Sequence, residues 1–263
     1  MASGVQNEIA DVAGFTDTPE ARAARRIAEL YATDAQFAAA EPIPEVIDAA
    51  RRPGLRLPEV IERLVAGYAD RPALGQRARE LITDPASGRT SARFLPRFDT
   101  ITYRELWARV RALATAWRHD PHHRINAGDF VATVGFASPD YLTIDLVCAY
   151  LGLVSVPLQH SAPVSQLRPI IDEVEPRVLA ISAAYLDVAV ESVLNSASLR
   201  HVVVFDYQPE IDDQREKFEH AQERLHAAGM PVVVQTIDEI IERGSTLPPE
   251  PFSTPAVATS SWR

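Results

Sequence analysis

Three histidines, His119, His122 and His123, lie close together in the segment HDPHHR. Imidazole nitrogens are common ligands of zinc, so the cluster raises the question of a metal site. The simpler interpretation is a polar loop between Trp117 and the β-prone run that begins at Phe130. We therefore predict no metal site in this chain.

His160 is the candidate substrate-binding residue. It lies just past the C-terminal end of a predicted parallel strand, Leu153–Leu158, and open α/β sheets tend to bind ligands beyond the carboxyl ends of their strands. An ordinary loop histidine is the alternative interpretation. Cys148 lies in a predicted buried helix and is interpreted as core. Because it is the only cysteine, an internal disulfide and a cysteine-based metal cluster are excluded.

Phosphate-binding motifs are missing from the turns of this sequence. The turn after the first predicted strand, residues 135–138, reads GFAS and lacks the three-glycine spacing of a dinucleotide site. The lysine signature of a P-loop and the serine elbow of a hydrolase are missing as well. No residue is therefore predicted to be catalytic or to bind a cofactor, and the residues alone indicate an α/β domain without an assigned function.

A strand, a helix and a second strand must position any site at His160. Phe130–Phe136 and Leu153–Leu158 are β-prone, whereas Tyr141–Leu151 is apolar almost all round, which is typical of a buried helix. We expect Ser138 to cap this helix and Gly152 to end it. The order predicts a βαβ unit with parallel strands and a right-handed crossover.

The pattern of β-prone and helical runs continues after this unit. Further β-prone runs begin near residues 178, 202 and 232, each preceded by a helical segment. The first of these helices is expected to begin with a cap at Ser165. Alternation of this kind predicts a parallel sheet covered by helices on both faces.

Three regions are predicted along the chain: a helical N-terminal extension (1–56), the sheet domain with its lead-in helices (57–255) and an atypical tail (256–263). A capping box of Thr102 and Glu105 is expected to start a long helix in the lead-in region. Four prolines between Leu247 and Pro255 indicate a linker or loop before the tail.

The composition is that of a globular domain, with 46% hydrophobic and 24% charged residues. A net charge of −10 removes the usual electrostatic drive for binding nucleic acid. The buried helix is too short to span a membrane and contains Asp145. The N-terminus lacks a basic segment followed by an apolar one, so a cytoplasmic location is expected.

Two stretches together resemble core motifs of the adenylate-forming enzymes, which include acyl-CoA synthetases, luciferases and peptide-synthetase adenylation domains. Ile101–Leu106 (ITYREL) is similar to the first motif, and Ala149–Leu158 (AYLGLVSVPL) is similar to the second. The stretches ASPDYLTIDLVCAYLGLVSVPLQ, APVSQLRPIIDEVEP and HVVVFDY resemble the adenylation domain of bacterial carboxylic acid reductases. The resemblance covers roughly residues 18–255.

This resemblance implies that the fold is an incomplete N-terminal subdomain of an adenylate-forming enzyme. In the full-length family, ATP with Mg and a small carboxylic acid gives an acyl-adenylate. A phosphopantetheine thiol on a carrier domain then accepts the acyl group, and a reductase domain uses NADPH to release an aldehyde.

The family's phosphate loop, which is rich in Ser, Thr and Gly and ends in Lys, should follow Pro255, where this chain reads AVATSSWR. No catalytic residue of the family can be carried over, so we expect the chain to be inactive alone. The tail suggests a truncated or frame-shifted reading of a longer gene, and a deliberately chosen end would look the same.

Two alternatives stay open. A fragment of a fatty-acid or aromatic-acid CoA ligase would make a thioester with free coenzyme A, and no carrier or reductase would follow it in the gene. A non-enzymatic α/β binding module would instead fold alone, with a cooperative melt and a defined oligomeric state.

Overall fold

The computed structural model describes residues 18–121, 124–194 and 196–252. The chain divides into two compact units between Ala49 and Ala50. The first unit contains α1 (Pro19–Thr33), α2 (Ala35–Ala39) and most of α3 (Pro44–Ala50). The second unit contains α4 (Leu57–Gly67), β1 (Pro72–Thr83), β2 (Thr90–Thr102), α5 (Tyr103–His119), β3 (Phe130–Val134), α6 (Pro139–Leu151), β4 (Val154–Leu158), α7 (Val164–Val174), β5 (Val178–Ser182), α8 (Leu186–Val193), β6 (His201–Phe205), α9 (Asp212–Ala227), β7 (Val233–Thr236) and α10 (Ile237–Ser245).

Local hydrogen bonds define the helices of the first unit. The Thr18 side chain accepts a hydrogen bond from the amide of Ala21 at 3.2 Å and so caps α1. Asp34 separates α1 from α2, and its carboxylate accepts from the amides of Gln36 and Phe37 at 2.9 and 3.0 Å. None of the described residues of α1, α2 and α3 is buried.

A five-stranded parallel sheet forms the centre of the second unit, in the order β4-β3-β5-β6-β7. The prediction of a parallel sheet is confirmed. After β3 the chain crosses to β4 on one side, and β5 then returns to pair on the other side of β3. The connections therefore diverge at β3, which makes its carboxyl end the topological switch point of the sheet.

Both faces of the sheet are covered by helices, as predicted. Alternate side chains of each strand point to opposite faces. On one face, Val131 and Val203 pack with buried residues of α5, α6 and α10. On the other face, Val134 and Ile181 pack with buried residues of α7, α8 and α9. No helix among the described residues combines the length and the apolar character needed to cross a membrane.

The predicted boundaries of α6 are confirmed. The Ser138 side chain accepts from the amide of Tyr141 at 3.1 Å, and Pro139 occupies the first helical position, where its missing N–H costs nothing. Gly152 ends the helix in the left-handed conformation, with φ +69°. The tight start and end of α6 fix the short crossover between β3 and β4.

The capping box of α5 is confirmed as well. The Glu105 amide donates to Thr102 Oγ1 at 3.2 Å, and the Thr102 amide donates to Glu105 Oε2 at 2.7 Å. The hydrogen bond from the Thr102 amide lowers the pKa of the Glu105 carboxyl. This box fixes the residue at which the chain leaves β2 and enters α5.

The prediction of a cap at Ser165 is wrong. Pro163 occupies the N-cap position of α7 without a side-chain hydrogen bond, at φ −67° and ψ 154°. The proline ring already fixes φ near the value that this extended position needs, so the helix begins at Val164 without a hydroxyl cap.

The sequence did not predict the antiparallel hairpin formed by β1 and β2. The two strands extend over Pro72–Thr83 and Thr90–Thr102. A turn over residues 84–89 joins them, and the Asp84 carboxylate accepts from the Ala86 amide at 3.0 Å. Most of β2 is exposed or half-buried, so it carries no clear alternation of apolar and polar residues.

Two buried threonines provide a test of core packing. Thr133 in β3 is fully buried, and its hydroxyl has no hydrogen-bond partner among the described residues. We expect Thr133→Val to raise the free energy of unfolding by about 1 kcal/mol, because the unpaired hydroxyl is replaced by a methyl group. Urea unfolding measures the change.

Thr143 in α6 is the matched control. It is equally buried, but its hydroxyl donates to the Pro139 carbonyl at 2.8 Å. Thr143→Val removes that bond and should not stabilise the protein. If Thr143→Val raised the free energy of unfolding as much as Thr133→Val does, the unpaired hydroxyl of Thr133 could not be the cause.

Candidate functional site

The candidate site lies at the carboxyl edge, which we define as the end of the sheet where β3, β4, β5 and β6 stop at Val134, Leu158, Ser182 and Phe205. Because these strands are parallel, the loops that follow them meet on the same side. Open α/β sheets bind ligands at this edge, next to the switch point.

Three rings form an aromatic cluster at the switch point: Phe136, His160 and Tyr185. The ring centroids of Phe136 and His160 lie 4.0 Å apart, and those of His160 and Tyr185 lie 5.4 Å apart. The three residues follow β3, β4 and β5, which are neighbours in the sheet. His160 is half-buried between its neighbours, whereas the Phe136 side chain is 64% exposed. The predicted residue therefore lies beside an apolar surface that a ligand can reach.

An acidic network lies beyond β6 and consists of Asp140, Asp206 and Asp238 around Arg109. The Asp206 amide donates to Asp140 Oδ2 at 3.0 Å. Arg109 Nη2 donates to Asp140 Oδ1 at 2.6 Å and to Asp238 Oδ1 at 3.2 Å. The network thus ties the end of β6 to the starts of α6 and α10 and to α5.

Asp206 has an unusual environment. Its backbone is in the left-handed region, at φ +54°. Burial raises the pKa of its carboxyl to about 6, and the charge of Asp140 adds to the rise. Hydrogen bonds from the hydroxyls of Ser138 and Ser182, together with the charge of Arg79, act in the opposite direction. The carboxyl can therefore gain or lose a proton near neutral pH.

A cavity of about 580 Å³ separates the hairpin from the carboxyl edge. The side chains that line it on the sheet side include Asp140, Asp206 and Arg109, and Arg79 lines it on the hairpin side. Carboxylates outnumber guanidinium groups along its wall. Such a wall suits a ligand that donates hydrogen bonds and does not suit an anion.

The other residues considered from sequence lie apart from this site. His119 ends α5, with its Nε2 3.7 Å from Glu250 Oε2, and His122 and His123 lie outside the described residues. Among the described residues, no group of three or more His, Cys, Asp or Glu side chains is arranged to hold a metal. Cys148 is buried, and burial raises the pKa of its thiol to about 12, so it is an unreactive core residue as expected.

Sequence reasoning missed the partners of His160 and the acidic network. Asp206 had a usable signal, because it directly follows the apolar run His201–Phe205 and so had to lie at the carboxyl edge. Tyr185 had the same signal after β5, whereas Phe136 lay within the β-prone run Phe130–Phe136, which the structure ends at Val134. Asp140 looked like an ordinary acidic residue in the first turn of a helix.

Comparison with known proteins identifies the family. The family model described as AMP-binding enzyme matches residues 63–254, most of the second unit. The chain belongs to the AMP-binding enzyme family. Its parallel sheet and covering helices are therefore part of an adenylate-forming domain.

Curated relatives within the AMP-binding family are carboxylic acid reductases. The chain is 51% identical over 232 residues to the enzyme of Mycobacterium tuberculosis and 45% identical over 225 residues to that of Segniliparus rugosus. These matches cover 88% and 86% of the chain, respectively, but only 19% of each relative. The chain thus spans about one fifth of the length of the enzymes it matches.

Solved structures narrow the match to the adenylation domain. The A-PCP didomain of the Segniliparus rugosus reductase, in complex with AMP, has a TM-score of 0.85 and 44% identity, with 89% of this chain and 32% of that chain covered. The A domain of the same enzyme, with AMP and a co-purified carboxylic acid, has a TM-score of 0.84 and 45% identity, with 86% and 36% covered. The chain therefore matches part of a carboxylic acid reductase adenylation domain.

The raised pKa of Asp206 leads to a test by pH. Its folded value of about 6 lies above the ordinary value of 3.8, so the folded state binds the proton more tightly than the unfolded state. The stability contributed by protonated Asp206 is complete below about pH 4 and is lost as the pH rises through about 6. The amide of Asp206→Asn cannot ionise, so the variant should not show this loss. Its free energy of unfolding minus that of the wild type should therefore rise by about 1 to 3 kcal/mol between pH 4 and pH 7.

Urea unfolding at several pH values measures that difference. Asp187→Asn is the control, because Asp187 is an exposed carboxylate in the first turn of α8. Its difference from the wild type should change less than that of Asp206→Asn over the same range, because its side chain is exposed to water. A constant difference for Asp206→Asn would show that its carboxyl ionises normally.

Proposed function

We propose that this chain supplies part of the adenylation domain of a carboxylic acid reductase. In the complete enzyme that domain uses ATP and Mg to convert a carboxylic acid to an acyl-adenylate. The acyl group then passes to a phosphopantetheine thiol and is reduced with NADPH to an aldehyde. The observation that carries the proposal is the 51% identity to the Mycobacterium tuberculosis enzyme over 88% of this chain.

The described residues support the further proposal that the chain does not catalyse adenylation alone. Transfer of an adenylyl group needs positive groups or backbone donors placed around the phosphates. At the carboxyl edge, Arg109 is already engaged by two carboxylates, and the acidic network would repel a triphosphate. The sequence also lacks a glycine-rich loop that ends in lysine.

The sequence identities of 51% and 45% to two carboxylic acid reductases favour this proposal over a CoA ligase fragment or a non-enzymatic binding module. Within the described part of the chain, residues 57–252 would belong to the adenylation domain predicted for 57–255, and residues 18–56 to the helical extension predicted for 1–56. The cytoplasmic location and the lack of nucleic-acid binding stay predictions from the sequence.

We also propose that His160 contacts the bound substrate. Its ring is held on two sides by Phe136 and Tyr185, which reduces the entropy lost when a ligand binds. Its position beside the switch point places it where the loops of three strands meet. The carboxylate of an acid substrate would accept a hydrogen bond from the imidazole, and the exposed Phe136 would contact its apolar part.

A chimaeric enzyme tests the proposed function. The segment of the Mycobacterium tuberculosis reductase that matches this chain is replaced by residues 18–252, and acid-dependent exchange of pyrophosphate with ATP is measured with a panel of carboxylic acids. This reaction reports acyl-adenylate formation without the carrier or the reductase. We expect the chimaera to catalyse the exchange and the 263-residue chain alone to show none.

The reductase with the same segment deleted is the negative control. A chimaera that is folded by circular dichroism yet inactive with every acid would count against the proposal. Exchange catalysed by the isolated chain would overturn the second part of it.

The same chimaera tests His160. We expect His160→Ala to raise the KM for the acid by about three- to tenfold with little change in kcat, because a ring contact to bound substrate is lost. His220→Ala, on the exposed side of α9, is the control and should leave KM unchanged. A fall in kcat alone, without a change in KM, would argue against a binding role.

A further inference from the structure

The hairpin of β1 and β2 lies across the carboxyl edge of the sheet. The 580 Å³ cavity described above lies beneath it, and a second cavity of about 390 Å³ lies beneath its outer half. The second cavity is lined by Phe94 and Ser91 of β2, by Ala183, which follows β5, and by Lys217 of α9. The width of these two cavities therefore depends on the position of the hairpin, whereas the aromatic cluster lies outside them.

The base of the hairpin is firmly attached. Tyr103, the first residue of α5, donates its amide to the Arg71 carbonyl at 3.1 Å, and the Arg104 amide donates to the Ala69 carbonyl at 3.0 Å. β2 runs directly into α5, which is packed in the core. These backbone bonds leave the base little freedom to move.

The tip of the hairpin is attached to α9 by a set of polar contacts. Arg89 donates to Glu216 Oε1 at 2.7 Å and to Asp213 Oδ1 at 2.6 Å, and the Thr90 amide donates to Asp212 Oδ2 at 2.6 Å. The side chains of Arg89, Asp213 and Glu216 are 45%, 79% and 54% exposed. Exposed ion pairs are weak and are screened by salt.

The middle of the hairpin has features of a hinge. Within the described residues its strands pair with each other and not with the parallel sheet, and a two-stranded ribbon is marginally stable by itself. The pairing register shifts between Arg77 and Arg79, which lie opposite Phe98 and Phe94. Pro96 lies inside that irregular segment, where it cannot donate a ladder hydrogen bond.

We propose that the β1–β2 hairpin is a lid over the carboxyl edge, hinged between its fixed base and its tip and latched to α9 by Arg89. Release of the latch widens both cavities and exposes more of the ends of β3, β5 and β6 to a ligand. This inference rests on the arrangement of the hairpin and is independent of the proposed function.

Hydrogen–deuterium exchange on the full 263-residue chain tests the latch. Arg89→Ala should speed exchange of the amides in residues 79–94 by about two- to fivefold, while the amides of β3 and β5 keep their wild-type rates. Arg93→Ala is the matched control, because Arg93 is also an exposed arginine of the hairpin but pairs with Glu80 on the opposite strand. It removes one positive charge without touching α9 and should leave the latch in place.

A thiol reporter measures opening directly. Ala183 is 1% exposed and lines the second cavity, so a cysteine placed there by Ala183→Cys is shielded while the lid is closed. We expect a thiol-reactive dye to label it about two- to fivefold faster when Arg89→Ala is added, and faster in 1 M salt than in 0.1 M salt without any latch variant. The buried Cys148 sets the background in the parent chain.

The outcomes are distinct. Faster labelling with Arg89→Ala and with salt, but not with Arg93→Ala, supports a latched lid. Equal labelling in all variants and at both salt concentrations overturns it. Faster exchange throughout the sheet in Arg89→Ala means general destabilisation and also overturns it, and the salt experiment on the unaltered latch gives an independent answer.

Discussion

Burial of the parallel sheet on both faces is the constraint on which the rest of the second unit depends. Every residue of β5 and β6 is buried, so each strand needs a helix above and a helix below. Parallel strands also force each connection to cross the sheet and to return the chain to the same end. The polar residues that follow the strands are therefore gathered at one edge, and the aromatic cluster and the acidic network are products of that geometry.

The elements that the sequence predicts well are those whose pattern is local. The helix α6 combines Ser138, Pro139 and Gly152 at its ends with an apolar run between them, and the structure agrees at both ends. The capping box of α5 is local in the same sense. The strand β2 has no such local pattern, because it is mostly exposed. It is stabilised by pairing with β1 and by a contact between Thr90 at its start and Asp212 of α9.

The candidate site was predictable in position but not in composition. His160 followed from one rule about the ends of parallel strands, and the strand order places it beside the switch point. The contact between Asp206 and Asp140 joins residues 66 positions apart, and Arg109 adds a third element of the chain. Such a network depends on how helices pack above the sheet, and no spacing in the sequence reports it.

The backbone at Asp206 limits how this edge can change during evolution. A residue at φ +54° must tolerate the left-handed region, which Gly, Asn and Asp do at little cost and β-branched residues do not. Substitutions that this position tolerates are thus confined to a few small residues, which differ in charge and hydrogen bonding rather than in size. Exchange of Asp206 for Asn would therefore change the charge of the edge and keep its backbone conformation.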